Sequence, residues 1–248
     1  MYPYLHELLS DRKGGAMFAC FGPWHFFWMA MAAAVCVLLY RFFAKRNAPD
    51  RSRWLDRLTG LAFGLYILDF FLMPLAYGEI DIEKLPFHAC TAMCVCVFIS
   101  RRSAALARLR GSFALLGFVS NLVYLIYPAG VMWHAVHPVS YRVIQTLGFH
   151  GLMTAVCLMA LLFEDLGGWK RTLAVTAAMT AWAMVGNAVY NSEDRVYNWF
   201  FVVGDPFGIL PAQVAPFVMP ALNICLFFAV EMALSALLRR LRGANHAL

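Results

Sequence analysis

Six side chains of the types that carry acid–base, nucleophilic or hydrogen-bonding chemistry lie inside long apolar runs of this chain. They are His25, Asp69, His88, Cys90, His150 and Asn187. Polar side chains are costly within a membrane span, so such residues mark functional sites by default. A cysteine with histidines and a carboxylate is the set that nucleophilic catalysis uses, because an imidazole can take the proton of the thiol.

The composition of the chain indicates that a membrane protein positions these residues. The chain has 248 residues, of which 62% are hydrophobic and 14% charged, against about 25% charged residues in a soluble domain. Seven runs are long enough, or nearly so, to cross about 30 Å of hydrocarbon as helices of about 20 residues. We predict an all-α, seven-transmembrane-helix bundle that forms a single integral membrane domain over residues 1–248. The predicted spans are residues 17–43, 58–77, 85–100, 112–127, 143–163, 173–190 and 214–238.

The basic residues between the spans predict the orientation of the chain. Of the 20 Lys and Arg residues, fifteen lie in the first, third and fifth connections and in the C-terminal segment, and the other five lie on the opposite side. Cytoplasmic loops carry the excess of Lys and Arg. We therefore expect the N-terminus outside and the C-terminus in the cytoplasm. The net charge of +6 is spread over these short clusters, so we expect membrane lipid as a partner and no nucleic acid.

The predicted topology gives the six polar residues a common depth. Counted at about 1.5 Å per residue, they all lie roughly 5–12 Å below the outer surface, although they come from five different spans. Residues scattered by chance would not share a depth. This agreement predicts a polar site in the outer half of the bundle.

The segment of residues 191–213 is unusually apolar for a connection between spans. Its aromatic and aliphatic side chains are interrupted by Gly204, Pro206, Gly208 and Pro211. Irregular backbone at membrane depth is tolerated where protein buries it, and aromatic side chains favour the headgroup level. Two interpretations stay open, an interfacial anchor and a re-entrant lid over the site.

Cysteine-based acyl chemistry is the first functional hypothesis. Cys90 would be the nucleophile, with His150 as the base and His88 as a less favoured base. Asp69 would orient the imidazole, as the carboxylate of a catalytic triad does. We expect His25 or His150 to be its partner, because the spans that place histidines at a similar depth have no Lys or Arg in their outer halves. The residues expected to bind substrate are His25, Asn187, Tyr190 and Asn191.

Three short motifs resemble those of the YwaF-type bacterial integral membrane proteins. They are Leu85-Pro86-Phe87-His88-Ala89-Cys90, Phe21-x-Pro23-x-His25 and Phe149-His150-Gly151, and they occur in order over most of the chain. The resemblance implies a multi-pass protein of the bacterial inner (plasma) membrane. A eukaryotic relative of that family is a cysteine-dependent acyltransferase of ether phospholipids, whose essential cysteine is similar in position to Cys90. The resemblance therefore implies acyltransferase activity in lipid metabolism. We expect no cofactor.

Two other classes of function stay open. Intramembrane His, Asp and Asn residues also line the ligand pathways of binders, sensors and transporters. A metal-dependent membrane hydrolase could use His25, His88, His150 and Asp69, since histidine and carboxylate ligands with one open position suffice. The first hypothesis assigns no metal to the site.

Overall fold

The computed structural model describes residues 17–78, 80–128, 131, 136–193, 195–206 and 208–245. These residues form seven α-helices and three single 3-10 turns, with no strand among them, which confirms the all-α prediction. The helices are α1 (Pro23–Ala44), α2 (Ala48–Tyr77), α3 (Ala89–Ser100), α4 (Arg110–Ile126), α5 (Tyr141–Phe163), α6 (Trp169–Tyr190) and α7 (Ala215–Asn245). The turns are Ile82–Lys84, Ala107–Leu109 and Trp199–Phe201.

Six of the seven helices are long and apolar enough to cross a membrane. The qualifying stretches are Pro23–Ala44, Ala48–Leu75, Ala107–Ile126, Tyr141–Phe163, Trp169–Tyr190 and Ala215–Arg242. Helix α3 has 12 residues and is therefore about 18 Å long, which is short of the hydrocarbon thickness. The chain is thus a multi-pass membrane protein, and its described residues form six long apolar helices and a shorter one.

Helix α2 begins ten residues before the predicted start at residue 58. Asn47 is its N-cap, and the Asn47 side chain accepts a hydrogen bond of 2.9 Å from the backbone N–H of Asp50. This bond satisfies one of the unpaired amides of the first turn. The charged residues that follow are helical although they are not apolar, so a search for apolar runs misses them.

The chain divides into two compact units, and helix α4 passes from one to the other. The first unit comprises Met1–Lys84 and Ser120–Phe163. In it, α5 packs against both α1 and α2. A close approach of α1 to α5 is possible because Gly151 has no side chain: a Cβ there would lie 3.3 Å from Cβ of Ala32.

The second unit comprises Leu85–Val119 and Glu164–Leu248. In it, α6 packs against α7, and the turn Trp199–Phe201 packs against both helices. Arg101 and Glu164 form a bidentate ion pair with N···O distances of 2.8 and 3.0 Å.

The outward faces of several helices are strongly apolar. Phe26 and Leu38 on α1 are exposed, as are Phe217 and Leu226 on α7. An apolar surface of this extent is unfavourable in water but suits contact with lipid chains. The exposed surface therefore agrees with a protein embedded in lipid.

Candidate functional site

Asp69 is a buried carboxylate in the first unit, and its partners are Lys84 and Tyr141. Its Oδ2 lies 2.7 Å from Nζ of Lys84, and its Oδ1 accepts a hydrogen bond of 2.9 Å from the Tyr141 hydroxyl. The prediction that His25 or His150 would pair with Asp69 is wrong. The turn Ile82–Lys84 follows α2, and the flexible stem of Lys84 carries the ammonium inward, although the charge count assigned that residue to a loop.

The position of Lys84 is fixed by two further contacts. Its Nζ donates a hydrogen bond of 3.3 Å to Oε1 of Gln145 on α5, and its backbone carbonyl accepts one of 2.8 Å from the Tyr66 hydroxyl on α2. The Asp69 carboxylate is 1% exposed. An ion pair with additional hydrogen bonds offsets much of the cost of burying both charges, so this cluster ties α2, α5 and the turn together.

His150 on α5 is held in one tautomer by the backbone of its own helix. Its Nδ1 lies 2.6 Å from the carbonyl oxygen of Thr146. A carbonyl only accepts hydrogen bonds, so Nδ1 carries a proton, and in the neutral ring Nε2 then holds the lone pair. The ring stacks on Tyr124 at a centroid distance of 3.9 Å and an interplanar angle of 11°. A general base needs an unprotonated nitrogen, and Nε2 is the unprotonated nitrogen of this tautomer.

His25, which was predicted to bind substrate, instead makes hydrogen bonds to the backbone of the protein. Its Nε2 lies 2.7 Å from the carbonyl of Leu125, and its Nδ1 accepts a hydrogen bond of 2.9 Å from the N–H of Phe21. The side chain is fully buried. Both ring nitrogens are thus engaged with backbone, so His25 connects the start of α1 to the end of α4 and has no nitrogen left for a substrate.

Cys90 is the second residue of α3 in the second unit, and its side chain is partly exposed. The start of a helix carries a partial positive charge, which favours the thiolate form of a cysteine placed there. His88 is the N-cap residue, but its side chain makes no capping bond. Instead, the N–H of Phe200 donates a long hydrogen bond of 3.5 Å to Nδ1 of His88. In a neutral ring with this contact, the proton is on Nε2.

The segment leading to Cys90 is anchored by α6. The Trp182 indole donates a hydrogen bond of 2.7 Å to the carbonyl of Pro86, and the Phe87 ring lies 4.9 Å from the Trp182 ring. Phe87 also requires Gly186, because a Cβ at that position would lie 2.4 Å from the ring atoms. The Leu-Pro-Phe-His motif is therefore a packing element that determines where α3 begins.

Asn187 and Asn191, predicted to bind substrate, bind the backbone of the segment that follows α6. Asn187 accepts a hydrogen bond from the N–H of Trp199 and donates one to its carbonyl, both at 3.2 Å. Asn191 forms the same pair of bonds with Tyr197, at 2.7 and 3.1 Å. Tyr190 contributes ring contacts to Phe87 and Trp199. The described contacts of these three residues are therefore made to other parts of the same polypeptide.

Two further asparagines, which the sequence reasoning missed, complete the attachment of this segment. Asn223 on α7 donates hydrogen bonds of 2.6 and 3.1 Å to the carbonyls of Phe200 and Phe201. Asn198 accepts from two amides and donates to the Gly204 carbonyl at 2.8 Å. Phe200 and Phe201 have φ of 55° and 54°, a costly region for bulky residues. An asparagine inside the apolar run of α7 was the signal available in the sequence.

Part of the segment of residues 191–213 packs against the helices of the second unit. Trp199 and Phe200 are buried, at 1% and 3% exposure, and Tyr197 stacks on Trp199 at 4.5 Å. The turn Trp199–Phe201 lies against α6 and α7, whereas Val196 and Ile209 are 73% and 79% exposed.

The metal-dependent alternative finds no ligand set in the described part of the chain. Within it, no three His, Cys, Asp or Glu side chains are grouped so that they could hold a metal ion. The nitrogens of His25 and the carboxylate of Asp69 are engaged with other protein groups, as described above. A zinc site would need at least three such ligands around one point.

Comparison with known proteins identifies the chain at the level of its family. No curated protein and no solved structure matches it. The model of the TMEM164 family matches residues 20–238, which include all seven helices in whole or in large part. The chain therefore belongs to the TMEM164 family.

Proposed function

We propose that this protein is a membrane-embedded acyltransferase or lipid hydrolase in which Cys90 is the nucleophile. The observation that carries the proposal is the position of Cys90, partly exposed at the second residue of α3. The helix dipole there lowers the cost of forming the thiolate. Cys94, one turn further along the same helix, is 1% exposed and serves as the internal comparison.

The chemistry proceeds in two balanced steps. The thiolate attacks the carbonyl carbon of a lipid ester, the ester C–O bond breaks, and the lysolipid leaves with the proton that the base took from the thiol. The hydroxyl of an acceptor then attacks the thioester, and the base transfers the acceptor's proton to the departing sulfur. A lipid acceptor gives acyl transfer, whereas water gives hydrolysis.

We assign the role of general base to His150 because its tautomer leaves one ring nitrogen unprotonated. The Thr146 carbonyl keeps the proton on Nδ1, so Nε2 presents a lone pair. His88 has the opposite tautomer, since its Nδ1 accepts from Phe200, and it suits the role of a hydrogen-bond donor that positions substrate. Asp69 is paired with Lys84 and not with an imidazole. Its proposed role is to hold α2 and α5 in position, and with α5 the base His150.

Transfer would prevail over hydrolysis if the segment after α6 excludes water from the thioester. Trp199, Phe200 and Val202 are buried in the second unit, and a dry site protects a reactive thioester from water. The acyl chain of the donor would lie against the exposed apolar side chains of the helices, where lipid is already present.

A second candidate function is a non-catalytic binder, sensor or transporter. The cluster of Asp69, Lys84 and Tyr141 favours it, because paired intramembrane charges also occur along ligand and proton pathways. This candidate requires no covalent intermediate, which separates it from the first.

The proposed topology has seven crossings, with the N-terminus outside and the C-terminus in the cytoplasm of a bacterial inner membrane. The distribution of Lys and Arg supports it. In this arrangement α3 crosses together with the residues before it, Leu85–His88. Reporter fusions at the two termini and in the connection of residues 101–109 test the topology, and two termini on the same side would contradict it.

Capture of the thioester tests the acyltransferase proposal. The purified full chain is incubated with phosphatidylcholine carrying an alkyne-tagged acyl chain, and the labelled protein is then treated with neutral hydroxylamine, which cleaves thioesters. We expect hydroxylamine-sensitive label on the natural chain and on Cys94→Ser, and none on Cys90→Ser. Label that survives in Cys90→Ser would overturn the assignment, and specific lipid binding without label would favour the binder.

A further inference from the structure

Glu231 is a carboxyl side chain inside the second unit, on α7, to which the proposed acyl chemistry gives no role. The residue is fully buried. Its Oε2 lies 2.8 Å from Oγ1 of Thr176 on α6, whereas its Oε1 has no hydrogen-bond partner among the described residues. An ionised carboxylate in this environment would be very costly unless a cation lay beside it.

In the described part of the chain, the elements that pack most extensively against α7 carry no Lys, Arg or His beside Glu231. These elements are α6 and the turn Trp199–Phe201. The described part of α6 has no Asp, Glu, His, Lys or Arg from Thr172 onward and ends with the phenol of Tyr190, and the turn is wholly aromatic. On α7 itself the ionisable groups are Cys225, which is exposed, and the arginines from Arg239 onward. Arg239 lies about two turns further along the helix and donates to the carbonyl of Gly167.

Thr176 is the hydrogen-bond donor to Glu231 among the described residues. Its hydroxyl has a single hydrogen and lies 2.8 Å from Oε2 of Glu231 and 3.0 Å from the carbonyl oxygen of Thr172. That carbonyl is also the i−4 acceptor for the backbone N–H of Thr176, so the hydroxyl can donate to Glu231 over the shorter distance. One donor at Oε2 and none described at Oε1 offset little of the cost of a buried negative charge, which favours the neutral acid.

Two more buried hydroxyls lie beyond Thr176, toward the start of α6. Oγ1 of Thr172 lies 3.1 Å from Oγ of Ser112 on α4, and both side chains are fully buried. The Thr176 hydroxyl contacts the backbone carbonyl of Thr172 and not its hydroxyl, so the hydroxyl pair of Thr172 and Ser112 is separate from the contact of Thr176 with Glu231.

We infer that Glu231 is a proton-binding site, a neutral carboxylic acid within the membrane whose proton exchanges on the side of the Thr176 hydroxyl. The ligand is a proton and not a metal cation, because a cation would need several oxygen ligands and the described contacts of Glu231 offer the single hydroxyl oxygen of Thr176. The site is separate from the Cys90 chemistry, so either proposal can fail without the other.

Infrared spectroscopy of the full chain in phosphatidylcholine vesicles tests this inference. We expect the carbonyl band of a protonated carboxylic acid to persist at a pH where carboxyl groups in water are ionised, and to shift in D2O. Glu231→Gln should lose the band, and Glu164→Gln, which removes a carboxylate paired with Arg101, should keep it. Identical spectra for the natural chain and Glu231→Gln would overturn the proposal.

Two further measurements keep the test decisive if Glu231→Gln does not fold. Glutamate labelled with ¹³C at the side-chain carboxyl should shift the band in the natural chain, and an unshifted band would exclude every glutamate. Thr176→Val should slow deuterium exchange of the band about fivefold, the factor expected for one hydrogen bond, whereas Thr180→Val should leave it unchanged. Loss of the band on addition of Na⁺ or Li⁺ would identify a metal-cation site and overturn the assignment of the proton.

Discussion

The Asp69 carboxylate and the Lys84 ammonium form an ion pair of 2.7 Å, in which the carboxylate is 1% exposed and the ammonium 21%. Both groups come from the first unit, where α2 runs into the turn that ends at Lys84. The pair is therefore a property of one compact unit, and its removal is expected to act on stability first.

We expect Asp69→Asn to destabilise the protein by about 3 kcal/mol. Removal of one partner of a buried pair costs about 3–5 kcal/mol, because the remaining charge stays uncompensated, and the partial exposure of Lys84 lowers that cost. The double variant Asp69→Asn with Lys84→Met should recover part of the loss. Thermal unfolding in detergent measures both. A double variant less stable than Asp69→Asn would contradict the ion-pair account.

His25→Ala should lower the melting temperature without changing the reactivity of Cys90 in the folded fraction. The substitution leaves the Leu125 carbonyl and the Phe21 amide without their side-chain partner. Each unsatisfied buried group costs about 1–3 kcal/mol. Thermal unfolding and the hydroxylamine-sensitive labelling of Cys90 separate the two effects. Unchanged stability with loss of labelling would instead indicate a catalytic His25.

Gly186→Ala should displace Phe87 and, through it, the start of α3. A Cβ at position 186 would lie 2.4 Å from the ring of Phe87, and overpacking of this kind costs about 1–3 kcal/mol. Labelling of Cys90 should fall as well. The matched control is Gly148→Ala, where a Cβ meets nothing within 4 Å; a helical alanine there should stabilise by about 1 kcal/mol.

Asn223→Leu should release the turn Trp199–Phe201 from α7. The leucine has a similar size but cannot donate to the carbonyls of Phe200 and Phe201, whose strained φ values depend on such restraints. We expect about tenfold faster limited proteolysis between residues 197 and 204, the factor for about 1.4 kcal/mol. Cys225→Ala, at an exposed position of the same helix, should leave the rate unchanged. Equal rates for both variants would show that Asn223 does not restrain the turn.

The amino-acid sequence by itself determined the class of fold, because the length of an apolar run is a local property. A run of about 20 apolar residues is helical in lipid whatever its neighbours are, since all backbone groups must bond within the segment. The long apolar helices could therefore be predicted from the lengths of the apolar runs. The cost of a polar side chain facing lipid predicts that such residues face the interior, and His25, Asp69, His150 and Asn187 are buried.

Only the tertiary structure decided which groups these polar side chains contact. Counting residues along a span gives a side chain its depth, but not the rotation of the helix about its axis or the identity of its neighbours. Lys84 therefore replaced histidine as the partner of Asp69. Asn187 and Asn191 bind the Trp199 and Tyr197 backbone instead of a substrate because residues 191–206 fold back, and no local pattern encodes that return. A hydrogen bond depends on distance and direction between atoms far apart in the chain, so packing alone determines it.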